Sequence, residues 1–274
     1  MSSQGAHSKP YETLSTKLDP RGVLTIALNR PDVRNAFNET LISELTDAFG
    51  RRALSSDVRL VVFRGEGTVF SAGGDLNWMK KSIELSFEGN LGDTQRLTHM
   101  FKTMNECPKP VIGAIHGAAI GGGVGLTAIC DIVVATKETQ FSLSEVRLGI
   151  VPACIGPFVI SKIGASHARA LFMSAERFQA ARAKEVGLVH TVVDDAAALE
   201  IEIERVVVNM LQCGPNAMAA AKKLVLDLST AERRSEIGDC LDYVARMLAE
   251  LRVSPEGQEG LRAFLEKRKP NWIR

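Results

Sequence analysis

Two glycine-rich segments carry the residue types and spacing that could do chemistry in this chain. The first is Ala72-Gly73-Gly74-Asp75 and the second is Gly121-Gly122-Gly123, and each follows an extended apolar run. Glycine lets a backbone approach a ligand closely because it has no Cβ atom. Backbone N–H groups at such turns, with the positive end of a helix dipole behind them, can stabilise a negatively charged carbonyl oxygen. The pair indicates an oxyanion-binding site, although either turn alone fits a simple tight turn.

A glutamate follows the second glycine run, and it is the candidate acid or base. Glu145 lies within Ser144-Glu145-Val146-Arg147. A carboxyl group in an apolar pocket can move protons because desolvation raises its pKa. Taken alone, Glu145 could equally be a surface residue paired with Arg147. A dinucleotide-binding interpretation of the glycines is disfavoured, because neither segment has the G-x-G-x-x-G spacing after the first strand.

Strands and helices alternate around these segments. The predicted strands cover residues 23–28, 60–63, 111–115, 132–135 and 188–193. A helix opens near Asn38, a favoured N-cap residue, and Asp75 is a second candidate cap. The remaining segments are predicted as a loose tail over 1–15, an irregular or partly helical flap over 78–90, helices over 92–106 and 124–130, and helices from about 215 onward. This order predicts an α/β core with a helical C-terminal portion.

Composition and charge exclude several classes of protein. The chain has 274 residues, of which 45% are hydrophobic and 24% charged, which is enough for one large globular domain. Its 33 basic and 32 acidic side chains give a net charge of +1, so neither nucleic acid nor an anionic membrane is an expected partner. Five widely spaced cysteines without a C-x-x-C pair are typical of reduced thiols. We therefore expect a cytoplasmic protein without a metal site.

Residues 111–130 form an apolar stretch of about the length of a membrane span. Six glycines interrupt this stretch, and Lys109-Pro110 and Asp131 flank it. A buried strand, a glycine turn and a short buried helix explain it better than a membrane helix. The polar residues 1–11 show no signal-peptide pattern.

The two glycine segments, taken together and in this order, resemble the crotonase (enoyl-CoA hydratase/isomerase) family. The matching segments are residues 69–76 and residues 109–131, and the resemblance extends from about residue 23 to residue 269. It implies a spiral of ββα turns, with the core and an N-terminal tail in residues 1–200. It also implies a helical trimerisation region in residues 201–274, and hence a homotrimer or hexamer.

The resemblance also implies a substrate and a set of site residues. The substrate is an acyl-CoA thioester, so coenzyme A belongs to the substrate and no separate cofactor is expected. The oxyanion donors are the backbone N–H groups of Gly74, where the family more often has alanine, and Gly122, and Glu145 is catalytic. The implied substrate or coenzyme A contacts are Arg34, Ala36, Ala72, Asp75, Leu76, Gly125 and, reaching a neighbouring subunit, Phe264 and Lys267. A solvated helix end is the alternative interpretation of Lys267.

The chain departs from the family pattern at Gly125, where the familiar hydratases carry a second catalytic glutamate. Residues 75–79, 141–149, 151–158 and 174–178 resemble the bacterial methylglutaconyl-CoA hydratase branch, which also tolerates glycine there. The implied activity is hydration of an α,β-unsaturated acyl-CoA, with 3-methylglutaconyl-CoA of leucine degradation as one candidate. The alternatives are a Δ3–Δ2-enoyl-CoA isomerase and a catalytically silent CoA-binding protein. Candidates for a second acid in the flap are Glu84, Glu88 and Asp93.

Overall fold

The computed structural model describes residues 10–229 and 231–273. The strands are β1 (Leu14–Leu18), β2 (Val23–Leu28), β3 (Leu60–Gly65), β4 (Val111–Ile115), β5 (Ala118–Ile120), β6 (Ile132–Thr136), β7 (Gln140–Ser142), β8 (Arg177–Gln179) and β9 (Thr191–Val193). The α-helices are α1 (Glu39–Asp47), α2 (Leu76–Glu84), α3 (Phe87–Asn105), α4 (Gly122–Ala128), α5 (Gly156–Ser174), α6 (Ala180–Glu185), α7 (Ala196–Leu211), α8 (Pro215–Ser229), α9 (Ala231–Ile237), α10 (Cys240–Val253) and α11 (Pro255–Leu265). Short 3-10 turns cover Pro31–Val33 and Glu145–Leu148, and a π-helical turn, Ala48–Arg52, extends α1.

The strands form two sheets. One has the order β1-β2-β3-β4-β6-β9 and the other has the order β5-β7-β8. Strand β1 is antiparallel to β2, whereas the other neighbours in the larger sheet are parallel. The chain runs β4–β5–α4 and then β6–β7–α5, so each unit places one strand in each sheet before its helix. The predicted α/β core built of ββα turns is confirmed.

The central strands are buried on both faces, as is usual for parallel sheets. Successive side chains of a strand point to opposite faces. In β3, Val61 and Phe63 pack into a core with α1, α3 and α5, whereas Leu60 and Val62 pack against α7. This burial fixes the ends of the strands from which the two glycine turns leave.

Side-chain caps set the starts of the helices near the first glycine turn. Asn38 accepts a hydrogen bond from Leu41 N–H at 2.9 Å and starts α1, as predicted. Asp75 accepts from Asn77 N–H at 2.8 Å and starts α2, also as predicted. The predicted flap is two helices, because Ser86 caps α3 and starts it at residue 87 rather than 92.

Other element boundaries differ from the prediction. Residues 14 and 15, assigned to a loose tail, begin β1, while residues 1–9 of that tail lie outside the described residues. Helix α4 begins at residue 122 rather than 124, and β9 begins at 191 rather than 188. The helical portion begins before residue 215, because α7 already covers 196–211. The predicted boundary at residue 200 falls within α7.

Residues 111–130 form β4, β5 and α4, which bears out the strand, glycine turn and short helix expected there. Among the described helices, none is both long enough and apolar enough to cross a membrane.

Candidate functional site

The two glycine turns lie side by side. Ser71, just before the first turn, forms a parallel bridge with the middle of β5, just before the second. Its N–H donates to Ala118 O, and its carbonyl accepts from Ile120 N–H, both at 3.0 Å. A side chain at position 73 would place its Cβ atom 3.9 Å from the backbone nitrogen of Gly122. Turns from separate parts of the sequence therefore share one site.

The N–H group of Gly74 points away from the loop that holds its turn. Phe37 forms a parallel bridge with Gly74. In this bridge Phe37 N–H donates to Gly73 O at 2.7 Å, and Asp75 N–H donates to Phe37 O at 2.9 Å. Both bonds use groups flanking Gly74, so its own N–H lies on the opposite edge. That N–H has no acceptor among the described residues.

Gly122 is the first residue of α4, and the first N–H groups of a helix have no partner within it. The preceding Gly121 has φ 52° and ψ −116°, a conformation that glycine adopts readily and other residues do not. Gly121 N–H donates to Ser142 O at 2.8 Å, whereas Gly122 N–H has no acceptor in the part of the chain that the structure describes. Two free donors at adjoining turns can hold an oxyanion between them.

The carboxyl group of Glu145 lies against the second turn. Its Oε1 would be 3.0 Å from the Cβ atom of any side chain at position 121, so glycine there leaves room for the carboxyl group. Its Oε2 is buried and accepts no hydrogen bond from any described residue. Buried polar atoms are normally paired. An unpaired carboxyl oxygen at this turn therefore fits a group that faces a ligand.

Burial raises the pKa of the Glu145 carboxyl, and a hydrogen bond from its own backbone N–H offsets part of the rise. The alternative partner, Arg147, donates instead to Ala175 O at 3.0 Å. This hydrogen bond connects the 3-10 turn, which contains Glu145, with the C-terminal end of α5. No ion pair joins Glu145 to Arg147 within the described chain.

Apolar atoms fill the space beside Gly125. A Cβ atom at this position would stand 2.3 Å from Ile155 Cγ2 and 2.9 Å from Phe101 Cε1. The Phe101 ring lies between two others, 6.2 Å from the Phe37 ring and 5.9 Å from the Phe158 ring. A carboxylate at residue 125 could not be accommodated without moving this wall. The predicted substrate contact at Gly125 stays a prediction.

Three of the predicted coenzyme A contacts lie close together. Ala72 N–H donates to Arg34 O at 2.9 Å, which joins the first glycine turn to the loop that follows β2. The Arg34 side chain is exposed, Ala72 is half-buried and Ala36 is buried. The structure brings these residues to one edge of the site, and their contact with coenzyme A stays a prediction.

Asp75, the fourth predicted contact on this edge, is held by protein groups. Besides capping α2, its carboxylate pairs with Arg30 at 3.0 Å, and both side chains are largely buried. Burial would raise the pKa of Asp75, but the Asn77 N–H and the Arg30 guanidinium outweigh burial and hold that pKa below its usual range. Asp75 is therefore an anion that holds the turn in place. Little of its carboxylate is left exposed to contact a ligand.

The other predicted contacts lie on exposed surface. Leu76 is 75% exposed at the start of α2, and Phe264 is 81% exposed on α11. Lys267 follows α11 with φ 54° and is also exposed. Helix α11 packs against α8 and α10. The predicted role of Phe264 and Lys267 at a neighbouring subunit's site stays a prediction.

The candidates for a second acid show no sign of catalytic placement. Glu84 and Glu88 are exposed. Asp93 forms an ion pair with Arg96 and lines a cavity of about 360 Å³ between α1 and α3. Among these carboxyl groups, none shares the buried, unpaired environment of Glu145.

Sequence reasoning missed three residues that shape the site: Asn35, Phe37 and Ile155. A Cβ atom at position 122 would stand 2.8 Å from Phe37 Cε2, so Phe37 packs directly on the second donor. Asn35 is completely buried in the loop before it. The one sequence signal for Asn35 is its residue type, because asparagine tolerates left-handed backbone in turns. Nothing in the sequence indicates the contacts of Phe37 or Ile155.

Comparison with known proteins identifies the family of the chain. Residues 19–274 match the family model described as enoyl-CoA hydratase/isomerase. The chain is 32% identical to 2,3-dehydroadipyl-CoA hydratase of Escherichia coli (strain K12), over 91% of this chain and 94% of that one. It is 31% identical to the peroxisomal Delta(3,5)-Delta(2,4)-dienoyl-CoA isomerase of Arabidopsis thaliana, over 96% and 98%. The structure of Pseudomonas aeruginosa AtuE superposes with a TM-score of 0.91 at 37% identity, covering 96% of this chain and 100% of that one. The chain therefore belongs to the enoyl-CoA hydratase/isomerase family and has the crotonase fold.

Proposed function

We propose that this enzyme adds water across the double bond of an α,β-unsaturated acyl-CoA, with a glutaconyl-type thioester such as 3-methylglutaconyl-CoA as its specific substrate. The observation that carries the proposal is the buried, unpaired Oε2 of Glu145 against the second of two adjoining turns with free N–H groups. Family membership supplies the acyl-CoA class, and the Escherichia coli relative is named as a hydratase. The choice of acyl group rests on the segments that resemble the methylglutaconyl-CoA hydratase branch.

The proposed reaction uses one carboxyl group twice. The Glu145 carboxylate removes a proton from water as the water oxygen bonds to the β-carbon. The π electrons move to the thioester oxygen, and the Gly74 and Gly122 N–H groups stabilise the resulting enolate. The enolate re-forms its carbonyl as the α-carbon takes the proton from Glu145. Both new bonds then form on the face of the substrate that Glu145 occupies.

The second candidate is an isomerase that moves a double bond from the 3- to the 2-position without adding water. The packing at Gly125 favours it, because Ile155 and Phe101 occupy the place of a second carboxyl group that could hold a water. One carboxyl group is enough to take a proton from the α-carbon and return it to the γ-carbon. The Arabidopsis thaliana relative is named as an isomerase. A catalytically silent CoA-binding protein is the third candidate.

One assay separates the three candidates. The enzyme is mixed with 3-methylglutaconyl-CoA, crotonyl-CoA and a 3-enoyl-CoA, and the absorbance of the conjugated enoyl thioester is followed. Hydration lowers the absorbance of the first two, isomerisation raises that of the third, and a silent protein changes none. A faster reaction with 3-methylglutaconyl-CoA than with crotonyl-CoA supports the glutaconyl-type assignment, whereas the reverse order contradicts it.

Glu145→Gln tests the assigned role directly. The amide keeps the shape of the carboxyl group but cannot take a proton, so we expect kcat to fall by about 10²–10⁴-fold. The exposed Glu88→Gln is the matched control and should keep the wild-type rate. Circular dichroism of both variants checks the fold. A Glu145→Gln enzyme with the wild-type kcat would remove Glu145 from the mechanism.

The proposal includes a homotrimer or hexamer. The C-terminal helices leave large apolar side chains exposed within one chain, among them Leu241 at 79%, Val253 at 77% and Phe264 at 81%. Extensive exposed apolar surface is typical of protein interfaces. Light scattering of the native protein measures the particle mass, and a monomer would contradict this part of the proposal.

A further inference from the structure

Asn35 stands in an unusual backbone conformation next to the first glycine turn. It has φ 54° and follows Arg34 with φ 55°, so two consecutive non-glycine residues adopt the left-handed region. Such residues persist only where the surrounding structure holds them there. Asn35 is completely buried. Contacts of the loop, rather than local preference, therefore determine its shape.

The Asn35 amide makes three hydrogen bonds to three different segments. Its Oδ1 accepts from Arg30 N–H at 2.8 Å, just beyond β2. Its Nδ2 donates to Glu66 O at 2.8 Å, just beyond β3, and to Val69 O at 3.0 Å. Val69 lies in the segment that leads into the first glycine turn. One buried side chain thus ties the ends of two parallel strands to that segment.

The backbone of Asn35 continues this connection into the turn itself. Its carbonyl accepts from Ser71 Oγ at 2.9 Å, and Ser71 is also completely buried. The same Oγ accepts a longer hydrogen bond, 3.4 Å, from Gly73 N–H. Gly73 precedes Gly74 in the chain. The contacts therefore run from Asn35 to the peptide unit immediately before the one that carries the Gly74 donor.

We propose that Asn35 is a positioning residue that holds the Gly74 N–H group where the enolate oxygen forms. This inference rests on the proposed function, because the position of that N–H matters only if it binds the oxyanion. A backbone donor stabilises developing charge only at hydrogen-bond distance from it. A displacement of about 1 Å can cost about 10²-fold in rate.

Two substitutions separate the amide from the backbone conformation. Asn35→Asp keeps the shape and the acceptor for Arg30, but it places a carboxylate oxygen opposite the carbonyls of Glu66 and Val69. Asn35→Gly tolerates the left-handed backbone and removes the amide. The control is Asn209→Asp on the exposed surface of α7. All three variants are assayed well below their melting temperatures, so that any loss of stability does not enter the result.

The decisive measurement is the enolate fraction of bound acetoacetyl-CoA, read from its near-ultraviolet absorbance at fixed pH and saturating ligand. Acetoacetyl-CoA ionises to an enolate like the one proposed for the reaction, so this fraction reports the strength of the two N–H donors. Saturation removes any effect of weaker coenzyme A binding. We expect both Asn35 variants to show a smaller enolate fraction and a kcat about 10- to 100-fold lower, and Asn209→Asp to match the wild type.

Folded Asn35 variants with the wild-type kcat and enolate fraction would overturn the positioning role. If Asn35→Asp and Asn35→Gly do not fold, Ser71→Ala serves as the test, because it removes the hydroxyl between Asn35 O and Gly73 N–H. It should lower the enolate fraction and reduce kcat by about 3- to 10-fold, and unchanged values would again overturn the role. A wild-type enzyme with neither turnover nor an enolate band would instead contradict the proposed function itself.

Discussion

The two glycine turns of the site differ in what holds them. A Cβ atom at Gly74 would meet nothing nearer than Met79 at 3.5 Å, which is an ordinary contact. A Cβ atom at Gly122 would stand 2.8 Å from the buried ring of Phe37. Hydrogen bonds to the loop before α1 flank Gly74, whereas the Phe37 ring packs closely on Gly122. Two donors proposed to act on the same oxygen should therefore respond differently to the same substitution.

Among substitutions of the glycines, the largest effect is expected for Gly122→Ala. The Phe37 ring is 2% exposed and packs near Phe101, so it cannot yield without disturbing the core. The backbone of the second turn must move instead, which displaces its donor, and we expect kcat to fall by about 10²–10³-fold. Steady-state kinetics measures the loss.

Phe37→Leu in the same chain provides the control for Gly122→Ala. The smaller side chain makes room for the new methyl group, so the double variant should recover part of the lost kcat. A Gly122→Ala enzyme within about threefold of wild type would show that the second turn is not held by this packing.

Gly125→Ala should act on stability more than on rate. Its methyl group would overlap Ile155, and overpacking of this kind costs about 1–3 kcal/mol. Urea unfolding measures the free energy of unfolding. In an Ile155→Ala background the obstructing Cγ2 is gone, so Gly125→Ala should cost less there. Additive effects of the two substitutions would contradict the proposed overlap.

The pH dependence of stability reports on the carboxyl group beside the second turn. Burial raises the pKa of Glu145 above its ordinary value of 4.5, so the folded state holds this proton at a pH where the unfolded chain has lost it. The Glu145 contribution to stability therefore decreases as pH rises from about 4.5 through the raised pKa. Glu145→Gln removes this contribution.

Thermal unfolding across the pH range measures the Glu145 effect. The Glu145→Gln variant should gain stability over wild type above that pH window, while the two should converge below it. Glu88→Gln, on exposed surface, should follow the wild-type curve. If the stability of Glu145→Gln and wild type differed by the same amount at every pH, the titration of Glu145 would not explain the difference.

The smallest effect is expected for Gly74→Ala. The space around its Cβ position is open, so stability should change by less than about 0.5 kcal/mol and kcat by less than about threefold. Gly73→Ala is the matched comparison, because its Cβ would stand 2.8 Å from Ile120 O in a backbone with φ 88°. If both variants are equally impaired, the first turn is as tightly packed as the second.

Local signals made part of the fold predictable from the sequence. Asn38 and Asp75 carry side chains that bond to nearby backbone N–H groups, and such caps depend on residues only two or three positions away. The apolar runs of β3 and β4 stand out because they are buried on both faces. The spacing of Glu145 from the second glycine run predicts that the two act together, and the structure places the Glu145 carboxyl group against Gly121.

The rest depends on contacts between residues far apart in the chain. Strand β1 exposes its three central residues, so it lacks the apolar pattern of a strand, and the prediction places its first two residues in the tail. The three-residue β5 exists because it pairs with β7. Gly125 and Ile155 are thirty positions apart in the chain, and their contact depends on how α5 packs on α4. The sequence around a glycine does not reveal which distant side chain will lie against it.

The hydrogen bond from Gly121 N–H to Ser142 O connects two parts of the site into one structural unit. It joins the donor of the second turn to the segment bearing Glu145, and each group lies within three residues of that bond. Grafting residues 118–149 as one block should therefore transfer the second donor and the acid in register. The first donor belongs to a different block, residues 30–37 with 66–76, held by Asn35. Recombination between related enzymes should preserve activity when its crossovers respect these two blocks.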